Sequence, residues 1–362
     1  MGEEVQDGCE ALPKAGPVML NIQTVAHLAR LLEITPRRLI EVADSASTYY
    51  EELILIDPAR PDKVRDILNV TGCLRRLQGL LHDKVLVPAR RPSMYSHGGI
   101  RGRNIKSNAA PHLGSTFLYT TDIADFYPSV HHTKVYKLFT NDFSCSPDVG
   151  RICTKLCTHQ FHMPLGLITS PILADCLMKP ADHRIGRMCE QHELVYSRYV
   201  DDITISGSYP VDSGSHPKLV TRILAEYGFR TNPNKEDKGR LSEEKCITKL
   251  CVRKGRLDVS REYLAEIRAQ LERAALLGQG GESPGTYYAP SQIFGRIQFI
   301  AWVNPGRRHG LMRKYRSIDW KAVEAEATAR GLVRVRKRLI RKSQFESDEG
   351  KGNISNKVAT LC

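Results

Sequence analysis

No stretch of this chain approaches the ~20 consecutive apolar residues that a membrane-spanning helix needs. The N-terminus, MGEEVQDGCEALPKAG, is acidic and has no apolar centre, which excludes a secretory signal. The ten cysteines are scattered, with Cys153 and Cys157 four apart and Cys246 and Cys251 five apart. No paired CxxC spacing exists, so a structural zinc site is not indicated. The thiols read as reduced and packed, as in a cytoplasmic protein. There is no internal repeat and no low-complexity tract.

What remains is an ordinary globular composition, 41% hydrophobic and 26% charged. Its 362 residues suffice for two or three domains. The net charge of +13 is unevenly placed. Between Gly306 and Lys342 there are 13 Lys/Arg against 3 Asp/Glu. A basic segment of helical periodicity reads as a footprint for a polyanion, or else as a solvated helix face.

Residues 20–45 predict two short amphipathic helices broken near Thr35-Pro36. Residues 51–56 predict a strand, with Lys63–Ile67 as its basic return. A helix follows over 71–86, then a basic Gly-containing loop region over 88–111. Thr116–Ile123 reads as a buried strand, and a long helix follows Ser170-Pro171. Residues 246–260 predict a hairpin turning at Lys254-Gly255, and helices follow over 261–277 and 291–303. The irregular alternation fits α+β better than a doubly wound sheet.

The chemistry is carried by the run LVYSRYVDDITISG, residues 194–207. Asp201 and Asp202 lie side by side between two apolar, β-branched segments, as at the tip of a hairpin. Adjacent carboxylates repel, and a divalent cation would relieve the cost. A second acidic segment lies 79 residues upstream, where Asp122 ends an apolar strand and Asp125 follows. If Asp122 and Asp201 face each other, they can bridge two Mg²⁺ ions about 3.5–4 Å apart, the arrangement of phosphoryl-transfer enzymes.

These two segments, in this order, resemble the A and C motifs of reverse transcriptases. Lys63-Val64-Arg65-Asp66-Ile67 resembles the basic fingers hairpin of that family, and Pro164–Pro171 its B loop. Gly228–Lys235 resembles motif D. Within the family the chain is most similar to retron reverse transcriptases. Asn108-Ala109-Ala110-Pro111-His112 matches their NAxxH signature, and His97-Gly98-Gly99 stands upstream as a related segment does there. Two departures stand out. Lys249 replaces the glycine of the retron VTG motif, and Leu165 stands where many relatives carry Gln.

The resemblance implies a right-hand polymerase of class α+β, its antiparallel palm sheet packed on helices. Its expected parts are a disordered leader (1–16), N-terminal helices (17–45), fingers and palm (46–240), a helical RNA-binding thumb (241–343) and a flexible tail (344–362). It implies Asp122, Asp201 and Asp202 as ligands of two Mg²⁺ ions, with Mn²⁺ as an alternative and the Ile123 carbonyl contributing. Lys235 would be a general acid for pyrophosphate. Lys63 and Arg65 would hold the dNTP triphosphate, Tyr127 would gate the sugar, and Gly166 would admit the templating pair. RNA contacts are expected from Asn108, His112, Lys249, Arg313, Lys314, Arg316, Arg336 and Lys337. For His112, a buried hydrogen-bonding role that fixes the basic loop is the preferred reading, ahead of direct RNA contact.

The implied partners are a structured non-coding RNA that serves as template and primer source, its RNA–DNA product, and an effector protein encoded nearby. The implied setting is antiphage defence in the bacterial cytoplasm. Three alternatives stay open: another defence or group II intron-like reverse transcriptase, a non-catalytic RNA scaffold of the same fold, and a metal-dependent nuclease.

Overall fold

The computed structural model describes residues 20–57, 64–282 and 285–347. The expected leader, Lys63 and most of the expected tail lie outside those residues. The chain opens with α1 (Val25–Leu31) and α2 (Pro36–Asp44), separated at Thr35, whose side chain caps α2 at the Arg38 amide. Next come β1 (Tyr50–Ile56), β2 (Arg65–Val70) and α3 (Gly72–Leu81). The loop region that follows includes a short helix, α4 (Ile105–Ala109).

The middle of the chain is built on a four-stranded antiparallel sheet. It comprises β3 (Phe117–Asp122), β4 (Val195–Tyr199), β5 (Asp202–Gly207) and β6 (Asp237–Arg240), in the order β4-β5-β3-β6. Side chains alternate faces along β3. Tyr119 joins a core shared with Ile203 and Ile205 and with the inner face of a long helix, α7 (Ser170–Gln191). Leu118, one residue away, joins a second core formed with the C-terminal part of the chain. The first core also takes in α5 (His132–Lys137) and α6 (Pro147–Cys157). The sequence reading had not assigned α6. Its signals are local: Ser146 accepts from the Val149 amide, and Pro147 occupies the first turn.

After α8 (His216–Glu226) and β6, the segment expected as one hairpin is a three-stranded meander. Its strands are β7 (Cys246–Ile247), β8 (Leu250–Arg253) and β9 (Arg256–Val259). The extra turn, Thr248-Lys249, has φ of 46° and 73°. Helices α9 (Arg261–Gly278), α10 (Pro290–Val303), α11 (Arg308–Arg316) and α12 (Trp320–Ala329) then close the second core.

The chain's last part corrects an expectation. Residues 338–341 do not continue the basic helices; they form a strand (Arg338–Arg341) that pairs antiparallel with β1. Ile340 lies opposite Ile54 and packs with it in a small apolar cluster. Arg341 faces Glu51 at 3.7 Å, and Lys342 faces Glu52 and Asp66 at 3.7 and 3.5 Å. Part of the basic excess is therefore matched within the chain. Lys342–Ser347 then form a short helix where a polar tail was expected.

Deleting residues 337–347 should leave the outer edge of β1 open. Amides at 53–56 are then expected to exchange about tenfold faster by mass spectrometry. Unchanged exchange would mean that the returning strand adds nothing to the hairpin.

Candidate active site

The turn between β4 and β5 is closed by the pair Tyr199 and Asp202. Val200 sits at φ 60°, a costly conformation for a β-branched residue. Two contacts hold it there. Arg198 donates from its guanidinium to the Val200 carbonyl at 2.7 Å. Gly98 lies flat against the same residue, where a Cβ would come within 2.4 Å of the Val200 side chain. That packing explains Gly98 in the His97-Gly98-Gly99 segment. Its backbone neighbours dock on β4, the Arg198 amide donating to Tyr95 and the His97 amide to Arg198, both at 2.8 Å.

Arg198 is 1% exposed, and it sits between two buried carboxylates of α7. It reaches Asp175 at 2.9 Å and Asp182 at 2.7 Å. Asp175 also binds Arg90 at 2.8 Å and the Ser96 hydroxyl, and Asp182 accepts from Tyr196 at 2.8 Å. Burial pushes the Asp175 carboxyl up, yet the charges of Arg198 and Arg90 outweigh it and hold it below the usual range. Sequence reasoning missed this cluster. Nothing local to Val195–Tyr199 signals it, because the partners of Arg198 lie on a helix 16 and 23 residues upstream.

Above this base the three predicted carboxylates converge. Asp122 pairs in register with Asp202, and the Ile123 amide donates to the Asp201 carbonyl at 3.0 Å. Carboxylate oxygens of Asp122, Asp201 and Asp202 all lie within 4.8 Å of one another. Burial, then the charges of Asp201 and Asp122, push Asp202 up to about 6. Burial and the Asp122 charge raise Asp201 as well. Two lysines oppose this repulsion. Lys235 binds Asp122 at 2.8 Å, and Lys249 lies beside Asp202 along one shared cavity. Three hard oxygen donors, crowded and underneutralised, suit a divalent cation.

The other predicted residues divide. Tyr127 is half-buried, and its hydroxyl is pushed up to about 12 by burial and by the Asp201 charge. Arg65 opens β2 and is exposed. Gly166 has φ 116°, and a Cβ there would meet the Leu68 carbonyl at 2.4 Å. Its close approach here is to β2 of its own chain. Leu68 and Leu165 are also joined by a backbone hydrogen bond of 3.2 Å.

Asn108 needs a firmer correction, and for His112 the burial favours the hydrogen-bonding role over an RNA contact. Both side chains are 0% exposed, so neither is placed to touch RNA. His112 bridges Ser206 at 2.6 Å and Ser197 at 2.8 Å. Asn108 donates to Thr248 at 3.0 Å and so ties α4 to the β7–β8 turn. Lys249 projects from that turn and is exposed. Arg313 and Arg316 are exposed on α11, whereas Lys314 is paired with Glu272 at 2.6 Å. Arg336 and Lys337 are exposed before the returning strand, with Lys337 3.8 Å from Asp57.

An antiparallel sheet presenting two acids at a hairpin tip and a third at the end of the adjacent strand is the frame of a template-directed nucleotidyl transferase. The family described as reverse transcriptase (RNA-dependent DNA polymerase) matches residues 58–252, more than half of the chain, and the chain belongs to that family. Its relatives include the retron Ec86 reverse transcriptase of Escherichia coli, 28% identical over 70% of this chain and 78% of the relative. The retron Se72 reverse transcriptase of Salmonella heidelberg is 28% identical over 68% and 66%, and the retron Mx65 reverse transcriptase of Myxococcus xanthus 27% over 66% and 57%. The match thus spans less than two thirds of the last two. Among the described residues no helix is long and apolar enough to cross a membrane.

Burial, with the neighbouring His97 charge, holds the His112 imidazole down at about 3. Folding therefore favours the neutral ring. That contribution is complete above the ordinary value of 6.5 and is lost as pH falls towards 3. His112→Asn should flatten the fall of stability between pH 6.5 and 4 in urea titrations. A slope equal to the parent's would remove His112 from the acid response.

Proposed function

We propose that this chain copies a structured non-coding RNA into single-stranded DNA, beginning from a 2′-hydroxyl of that RNA. The observation that carries this reading is the convergence of Asp122, Asp201 and Asp202 at the open end of the sheet. Asp122 and Asp201 hold two Mg²⁺ ions, with Asp202 and the Ile123 carbonyl completing the set. Such ions activate the attacking hydroxyl and steady the pyrophosphate leaving group.

Lys235 stands ready beside Asp122 to give a proton to pyrophosphate once that carboxylate is engaged. Lys63 and Arg65 receive the triphosphate from the fingers hairpin. Tyr127 closes the floor of the sugar pocket, where a ring disfavours a 2′-OH. The palm is the four-stranded sheet, and the thumb is the layer of α9–α12. Exposed Arg313, Arg316, Arg336 and Lys337 grip RNA phosphates, and Lys249 adds a charge at the palm–thumb junction. By likeness to retron enzymes, the setting is antiphage defence in the bacterial cytoplasm, with an effector protein encoded nearby.

The test is primer extension on an RNA template with Mg²⁺. Asp201→Ala with Asp202→Ala should abolish dNTP incorporation and leave RNA binding within about twofold. In the same assay Tyr127→Ala should raise incorporation of rNTP relative to dNTP. Extension by the double variant would refute the site, and an unchanged rNTP ratio would refute the gate. Sequencing the copurifying nucleic acid checks the priming scheme, since a branched RNA–DNA product is expected.

A further inference from the structure

The turn from His159 to His162 stands outside the machinery described so far. The two histidines exchange backbone hydrogen bonds of 2.8 and 3.0 Å, which closes a two-residue loop. That loop is Gln160-Phe161, with φ of 47° and 65°. Such a turn ordinarily takes Asn-Gly, because both positions need positive φ. Here it carries glutamine and phenylalanine instead. The strained geometry thrusts Phe161 outward until it is 69% exposed. A large ring held out at the cost of backbone strain points to a binding role.

The turn is rigidly seated. The His132 amide donates to the Phe161 carbonyl at 2.7 Å, and His162 bonds the Pro128 carbonyl at 2.8 Å. Pro128 directly follows Tyr127. On one side a cavity of about 470 Å³ runs from this turn past Pro164 and Leu165 to Ile67 and Leu68 of β2. Gln160 and His162 line it, so it joins the turn, though not the Phe161 ring itself, to the loop and hairpin that flank the catalytic face. On the other side lies a second cavity of about 670 Å³, lined in part by His132, Tyr136, Arg151 and Lys155.

We propose that Phe161 is a stacking platform for an unpaired base of the RNA template, on the strand's path to the catalytic carboxylates. The inference rests on the polymerase reading given above and adds a subsite to it. The surroundings select the ligand. The ring of His132 lies 5.3 Å from that of Phe161, and His131 meets His132 at 4.2 Å, tilted by 50°, and His162 at 5.4 Å, edge-on. A cluster of flat rings is the chemistry of single-strand binding, where stacking tolerates any base. The acids nearby are already matched. Asp44 binds Lys155 at 2.6 Å, while Glu52 and Asp66 both face Lys342. One protruding ring is also too small an apolar area for a stable protein interface.

The test compares template–primer duplexes that are blunt with duplexes carrying a 5′ single-stranded template overhang. Fluorescence anisotropy reads affinity, and single-nucleotide incorporation from saturated complexes reads chemistry. For the parent chain the overhang should tighten binding about tenfold. Phe161→Ala should lose that gain and keep the incorporation rate from saturated complexes, while Phe161→Trp should retain both. The tryptophan variant guards against mere misfolding. An overhang gain that survives in Phe161→Ala overturns the platform. So does an unchanged RNA response accompanied by loss of self-association, which would make the ring a protein contact. Failure of the parent chain to incorporate dNTP at all would instead overturn the polymerase reading.

Discussion

The structure depends on one buried charge, that of Arg198. A guanidinium withdrawn from water must be matched, and Asp175 and Asp182 match it from one face of α7, two turns apart. Breaking such a pair typically costs about 3–5 kcal/mol, because the partner is left charged and buried. Replacing the whole cluster by apolar residues would cost far less, so stability alone does not account for it. The role of Arg198 is positional. The guanidinium reaches past its carboxylates to the Val200 carbonyl and fixes a strained turn from beneath. Arg90 and Ser96 extend the same cluster to the loop that brings Gly98 against Val200. A helix, a loop and a hairpin thus meet at the residue before Asp201.

Held this way, the carboxylates cannot relax apart. Burial and mutual repulsion raise Asp201 and Asp202, and Lys235 supplies the nearest counter-charge. The site is electrostatically unfinished, which is what a cation-binding centre requires before its metal arrives. Lys249 fits the same logic. At φ 73° it occupies a conformation that glycine adopts freely, and the strain places a second ammonium beside Asp202. Asn108 ties this turn to α4, and Lys106 of α4 donates to the Trp302 carbonyl at 3.0 Å. The geometry of the acidic tip is thereby linked to the C-terminal helices.

Much of the site was legible because it is written locally. The Val200-Asp201-Asp202 run, its flanking β-branched residues and Asp122 at a strand end all follow short-range rules, and the strands form where those rules place them. What was illegible depends on distance. His112 finds its partners 94 and 85 residues away, so a buried bridge and an RNA contact looked alike in one dimension. Gly166 was read correctly as a close approach, but its neighbour is a strand of the same chain. Charge says little about backbone, so the basic run around 338–341 predicts helix where a strand forms. Its acidic partners on β1 lie far upstream. Arg198 was passed over since nothing local shows that a strand arginine will be buried.

The central claim is that Arg198 holds the carboxylates in their metal-binding arrangement. Arg198→Lys keeps the charge but loses the planar fork that spans two aspartates and a carbonyl. The most direct measurement is the Mg²⁺ dependence of dNTP incorporation by this variant, with folding checked by circular dichroism and RNA binding by anisotropy. The account predicts a folded, RNA-binding protein whose half-saturating Mg²⁺ rises about tenfold and whose maximal rate falls. A folded variant with the parent's Mg²⁺ dependence and rate would contradict it.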